Sequence, residues 1–215
     1  MPAITYGEKV NLPNRIALIP SGRVALNALA TQYHYMRRPI HPLSCPFGWT
    51  IEFEGSATQP DGAPSGFIIF ASIHFTKLKN EFGYEGLPTK WQVLSLSRLW
   101  LHDDLPRNSE TVVIGKALKM VQARWLEVHP PRYPDEPYQI EKIISYADTG
   151  AGHAGTIYKA ANFRLYGRTA GGSRHKTTRG TNEGTEKICY IYDLPSPKFD
   201  YQPSQPSLFN NPIRQ

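Results

Sequence analysis

The chain has 215 residues, 40% of them hydrophobic, with 24 Lys+Arg against 18 Asp+Glu and a formal charge of +6. That is one domain's length with enough apolar content for a sizeable core, and no apolar run approaches a membrane span. Cys45 and Cys189 are the only cysteines, which excludes a disulfide framework and a structural zinc site and fits a reducing, intracellular setting.

Residues 1–15 lack the basic-then-apolar order of a signal peptide, so the expected location is cytoplasmic. Ile16–Ile19 reads as a strand stopped by Pro20. Ser21 is a candidate N-cap for a helix whose Val24, Leu26, Leu29 and Ala30 share one face. It runs towards Gln32-Tyr33-His34-Tyr35, and Pro39 and Pro42 forbid its continuation. Trp49–Phe53 and Gly66–Ile73 read as antiparallel strands around the turn-rich GSATQPDGAPS. Residues 75–90 mix charge, Gly and Pro, as an insertion or lid would.

Trp91–Leu101 alternates as a strand, with Val93, Ser95, Ser97 and Leu99 expected on one side. After a loop over His102–Arg107, Asn108 or Ser109 caps a helix with Glu110 in its first turn. Val113, Ala117 and Val121 form that helix's apolar stripe. PPRYPDEPY then links to a strand containing Ile143, Ile144 and Tyr146, which ends at Asp148. A glycine-rich bend (Gly150, Gly152, Gly155), a short helix carrying Tyr158 and a strand through Leu165 and Tyr166 follow. Lys187–Tyr192 is the last strand. Between them Arg164, Arg168, Arg174, His175, Lys176 and Arg179 lie among Gly, Ser and Thr with no acid. That composition suits a basic loop, either solvated or touching phosphates.

The expected fold is α/β: a central mixed, mostly antiparallel sheet flanked by helices over residues 1–194, with a basic loop at 168–186. Residues 195–215 are expected to be an extended or disordered proline-rich tail. Polar groups gather where the Asp148 strand ends, the side of an open α/β sheet that usually carries chemistry.

The element order and the spacing Tyr158-x-x-x-x-Phe163 resemble the GCN5-related N-acetyltransferase fold, whose tyrosine acts as a general acid near a thioester sulfur. LSLSRLWL, DDLPRNSET, SYADTGAGHAGTIYKAANFRLYG and the upstream QYHY resemble, more closely, the Mom family of bacteriophage DNA-modification proteins. That resemblance implies a transferase working in the bacterial host cell. It would convert adenine in double-stranded DNA to an N6-carbamoylmethyl derivative and so protect DNA from restriction. The other readings are an ordinary acyl-CoA-dependent N-acetyltransferase for a small amine or protein, and a non-catalytic DNA-binding protein. A homodimer is left open.

On this resemblance Tyr158 is the acid or an orienting hydroxyl. Asp148 receives the N6 proton or holds the amine, unless it is an Asx-turn cap. His34 and Tyr35 face the substrate. Tyr33, Tyr35, Trp49 and Trp100 are stacking candidates for a flipped base. Arg168, Arg174, Lys176 and Arg179 contact DNA phosphates. Arg98, Asn108, Ser109 and Thr111 hold the donor, acetyl-CoA or another acyl donor such as a charged transfer RNA. The glycine-rich phosphate loop usual in ordinary acetyltransferases is replaced here by His102-Asp103-Asp104-Leu105-Pro106-Arg107-Asn108-Ser109, which has no glycine and two acids. No metal site is expected, because the His and Asp residues lack ligand spacing.

Overall fold

The computed structural model describes residues 12–54, 64–73, 92–129, 139–169, 176–177, 180–181 and 186–195. The expectations for the 55–63 turn, the insertion, the Pro/Tyr linker and the tail from 196 lie outside the described residues, as do those for Arg174, Arg179 and the Lys176 side chain.

In chain order the elements are α1 (Leu12–Arg15), β1 (Ile16–Ser21), α2 (Arg23–Tyr33), β2 (Phe47–Phe53), β3 (Gly66–Ser72) and β4 (Val93–Leu101). Then come α3 (Ser109–Val128), β5 (Lys142–Asp148), α4 (Thr156–Ala160), β6 (Arg164–Thr169), β7 (Lys176–Thr177), β8 (Gly180–Thr181) and β9 (Lys187–Asp193). Seven strands form one sheet in the order β1-β2-β3-β4-β5-β9-β6. Every neighbouring pair is antiparallel except β4–β5, the mixed sheet the sequence calls for. In the basic segment β7 and β8 pair antiparallel as a separate two-stranded sheet. No helix among the described residues is long and apolar enough to cross a membrane.

Both faces of the sheet's middle are covered, which is why β3 (GFIIFAS) reads as an unbroken apolar run. Its alternate residues serve different cores. Ile68 and Phe70 join the large cluster under α3, with Trp49, Leu96, Val113, Ala117, Val121 and Trp125. Phe67, Ile69 and Ala71 pack with Leu26 and Ala30 of α2 on the other face. Trp49 is 0% exposed, so it is a core residue and not the stacking group expected of it.

Helix α2 starts after Gly22, without a side-chain cap. Ser21 instead shares a 3.0 Å hydrogen bond with Thr50 across β1–β2. Asn108 precedes α3 in a left-handed conformation (φ 72°) and its side chain does not cap. Ser109 Oγ donates to Pro106 O at 2.6 Å. Along β4 the simple alternation fails. The pairing with β3 slips between Ile69 and Phe70, leaving Ser97 as the extra residue between Leu96 and Arg98. Val93 and Ser95 therefore do not share a face with Leu99, which packs into the α3 core; Arg98 and Trp100 point to the α2 side instead.

The parallel pair β4–β5 lasts only three residue pairs, Val93↔Lys142 to Ser95↔Ile144. Beyond that the strands diverge, and the carbonyl of Leu96 loses its ladder partner. The hydroxyl of Ser145, 0% exposed, fills that need at 3.1 Å.

Candidate active site

A cavity of about 680 Å³ opens in the fork between β4 and β5. Its walls are residues 96–101 of β4, 146–147 of β5, 152–158 of the glycine bend and α4, and residues 33–35 and 37 after α2. The gap runs through the sheet. Tyr158 packs with the α3-side core, whereas Tyr146 belongs to the opposite face.

His34 is 6% exposed and its Nδ1 accepts the Met36 N–H at 3.2 Å. Its proton therefore sits on Nε2, so the ring offers a donor. Burial first, then the nearby Arg98 and His153, lower its pKa to about 4. Tyr35, half-exposed, lies between two imidazoles, 4.4 Å from the His34 ring and 5.2 Å from that of His153. Burial and the charge of Asp148 raise its phenol's pKa, against the opposing pull of Arg98 and Arg38. Burial likewise raises the Tyr158 pKa, while the neighbouring Ser145 hydroxyl acts the other way. Both phenols thus keep their protons at neutral pH.

Of the two arginines in the cavity wall among the described residues, Arg37 and Arg98, Arg98 is the more buried. Burial lowers its pKa, Nη1 donates to Ser97 O at 2.7 Å, and Nε is buried without a partner. It neighbours His34 and Tyr35 and does not line the donor-side cavity, to which the sequence reading assigned it. Tyr33 stacks on Trp100 with centroids 4.5 Å apart and planes 19° apart, and both line the fork.

Asp148 departs from expectation. Three residues beyond Ser145 on a regular strand, it faces the side opposite to the Tyr158 hydroxyl. Its Oδ1 accepts the Gly150 N–H at 3.1 Å and its Oδ2 lies 3.5 Å from Lys187 Nζ. The Asx-turn alternative therefore describes it, and its reach into the site is through its field on Tyr35. Among the described residues, Glu110 is the one carboxylate in the wall of the large cavity.

A second cavity of about 300 Å³ adjoins, sharing Leu101, Glu110, Thr156 and Ile157 with the first. Asn108, Ser109 and Thr111 line it, beside Arg107 and Asp103. The first-turn N–H groups of α3 border this space. Arg168, assigned to DNA, is paired with Glu186 at 3.2 Å.

Residues 15–188 match the Mom protein family. The chain belongs to that family. Over 74 residues it is 40% identical to the methylcarbamoylase mom of Escherichia phage Mu, a stretch covering 34% of this chain and 26% of that relative. The matched stretch thus spans about a quarter of that Mom protein's length. In three dimensions the chain is similar to NAA60 of Arabidopsis thaliana bound to acetyl-CoA, with a TM-score of 0.53 and 12% identity, covering 83% of this chain and 99% of that one. NAA60 bound to a bisubstrate analogue gives 0.54 at the same identity, covering 84% and 99%. The Mom family chain accordingly has the GCN5-related N-acetyltransferase fold.

Three residues at or beside this cavity were not singled out from sequence. Glu110 reads only as a helix-dipole residue. Arg37, exposed in the cavity wall, and Arg38, exposed and acting on the Tyr35 phenol, form a basic pair shortly after His34-Tyr35, and that adjacency was the available signal.

The buried imidazole has a consequence for stability. A base whose folded pKa is about 4 against about 6.5 unfolded contributes stability that is complete above the unfolded value and lost on acidification through the folded one. The loss reaches about 3 kcal/mol. Thermal unfolding of wild type should weaken more than that of His34→Gln between about pH 7 and pH 5; equal losses would show that His34 titrates normally.

Proposed function

We propose that the protein is a DNA-modifying transferase that adds a small amide-bearing group, of the carbamoylmethyl type, to the N6 amine of adenine. Family membership carries this reading, and the match to a relative named methylcarbamoylase supports the chemistry of the group. The consequence in a phage-infected cell would be DNA shielded from restriction enzymes.

The physical demands of that reaction agree with the fork. Adenine N6 is conjugated and base-paired, so the base must leave the duplex at a cost of a few kcal/mol. A space of about 680 Å³ takes a purine, with the Tyr33–Trp100 stack as its aromatic wall and Arg37 and Arg38 for the flanking phosphates. In this reading N6 forms the new bond to carbon and loses its proton to Glu110. The bond from that carbon to the donor's leaving atom breaks, and Tyr158 protonates the leaving atom. His34, through Nε2–H, and Arg98 would hold the amide oxygen of the transferred group by hydrogen bonding and so orient its methylene carbon towards N6.

The fold implies an acyl-CoA donor, but the smaller cavity is a poor match to a pyrophosphate. Asp103 and Glu110 face a single guanidinium, Arg107, and no glycine run brings backbone N–H groups together. No step is therefore routed through coenzyme A, and a donor lacking that charge, with its leaving atom on the methylene carbon of the carbamoylmethyl group, suits the wall better. This mismatch also counts against the ordinary N-acetyltransferase reading.

The test is nucleoside analysis of DNA from bacterial cells expressing the full chain. A heavier deoxyadenosine is expected. Carbamoylmethyl and glycyl groups are isomers, so fragmentation must separate an N6–CH2 bond from the N6–C(O) bond of plain acyl transfer. Unchanged DNA, with acetylation of protein or polyamine amines instead, would replace this function with the alternative.

A further inference from the structure

We propose that Asn27, in the middle of α2, is a positioning residue that fixes the loop of residues 34–39 and so aims Arg37 and Arg38 at DNA. The inference rests on the DNA-modifying reading above for the identity of the partner. Asparagine is disfavoured inside helices, because its side-chain amide competes for backbone hydrogen bonds. Asn27 nevertheless lies within α2 (Arg23–Tyr33), half-buried. Both ends of its amide bind one residue. Its Oδ1 accepts the Ile40 N–H at 3.0 Å, and its Nδ2 donates to Ile40 O at 3.2 Å.

This clamp anchors the loop's far end, where the Ile40 side chain is buried with Leu26, Ala30, Phe67 and Ile69. The near end is Tyr33, stacked on Trp100. Between the two anchors the chain turns back on itself. The Met36 N–H donates to His34 Nδ1 at 3.2 Å, the Arg37 N–H donates to His34 O at 2.8 Å, and Arg37 Nη1 donates to Gln32 O. Arg37 sits at φ +47°, a left-handed conformation that a residue with a Cβ keeps only where its surroundings over-determine it. Fixing Ile40 on α2 supplies that constraint.

The outcome is a short, doubly anchored loop whose Tyr35, Arg37 and Arg38 are exposed, with Tyr35 and Arg37 in the wall of the large cavity. Phosphate contacts set the register of a duplex on a protein. A loop ordered before DNA arrives spares the entropy of ordering it on binding. Asn27 touches neither DNA nor the reacting atoms, and its effect passes through the arginines.

The experiment compares wild type with Asn27→Ala on the full chain. Asn27→Asp, which keeps an acceptor for the Ile40 N–H and loses the donor to Ile40 O, carries the test if the alanine variant fails to fold. The first readout is amide hydrogen exchange. The Met36 and Arg37 amides should exchange at least about tenfold faster in the variant, a larger change than at Ile51 or Ile68 of the sheet, because the opening is local. Unchanged rates at Met36 and Arg37, or a change equal to that of the sheet, overturn the proposal. The second readout is binding of a short DNA duplex with one mismatched adenine, measured over a range of salt. Asn27→Ala should weaken binding and lower the salt slope by about one to two units, with no further loss when Arg37→Ala and Arg38→Ala are already present. An equal loss in that background overturns the proposal. If wild type does not bind the duplex, the DNA-modifying reading fails, while the exchange rates still decide whether Asn27 fixes the loop.

Discussion

Tyr158→Phe should abolish adenine modification while leaving the fold intact. The phenol's hydroxyl donates into a fork whose other walls are unchanged by losing one oxygen. The ring contacts to Phe163 and Tyr190 survive, so the unfolding midpoint should move little. The expected loss is about 10²–10⁴-fold, the usual contribution of a positioned acid. The pH dependence has a definite sign. Tyr158 works protonated and burial raises its pKa, so activity from this group persists through neutral pH and fails only above the ordinary phenol range. His34, neutral above about pH 4, adds no break near neutrality. Nucleoside analysis of cellular DNA reads the first effect, and a pH profile of the purified protein reads the second. Full modification by Tyr158→Phe would remove the acid from the mechanism.

The other large effect is expected from Gly155→Ala. Gly155 has φ +73°, and a Cβ there would stand 2.2 Å from Tyr190 Cε2 and 2.5 Å from its Cζ. The left-handed backbone costs a residue with a Cβ about 1–2 kcal/mol, and overpacking adds about 1–3 kcal/mol. Tyr190 cannot retreat, being 1% exposed, bonded to Ala154 O and packed on Tyr158. The sum, about 2–5 kcal/mol, corresponds to a fall in Tm of roughly 5–15 °C for a chain of this size. Gly152→Ala is the internal control. It has φ +79° but nothing within 4 Å of its Cβ, so it should show the backbone cost alone. Equal effects of the two substitutions would mean that the Tyr190 clash is relieved cheaply.

Much of this organisation was readable from residue order. The strands and helices fall close to where apolar periodicity and Pro/Gly punctuation put them, because each has one unambiguous buried face. The misreadings have specific physical causes. In β4 a single unpaired residue, Ser97, reverses the alternation, and no local composition signals a bulge. Trp49 is indistinguishable in sequence from a stacking aromatic until α3 is seen to cover it. Asp148 has a cross-strand lysine, Lys187, directly opposite, a partner nearly forty positions away that no local motif announces. Ser145 owes its bond to Leu96 O to the ending of a parallel ladder, which is a property of two strands and not of either one.

That short ladder has a mechanical consequence. Joined over three residue pairs, β1–β4 and the β5–β9–β6 group are two hydrogen-bonded plates that share few backbone bonds with each other. Widening the gap between them would therefore break few of those bonds, where a continuous ladder of full length would resist a planar wedge along its whole edge.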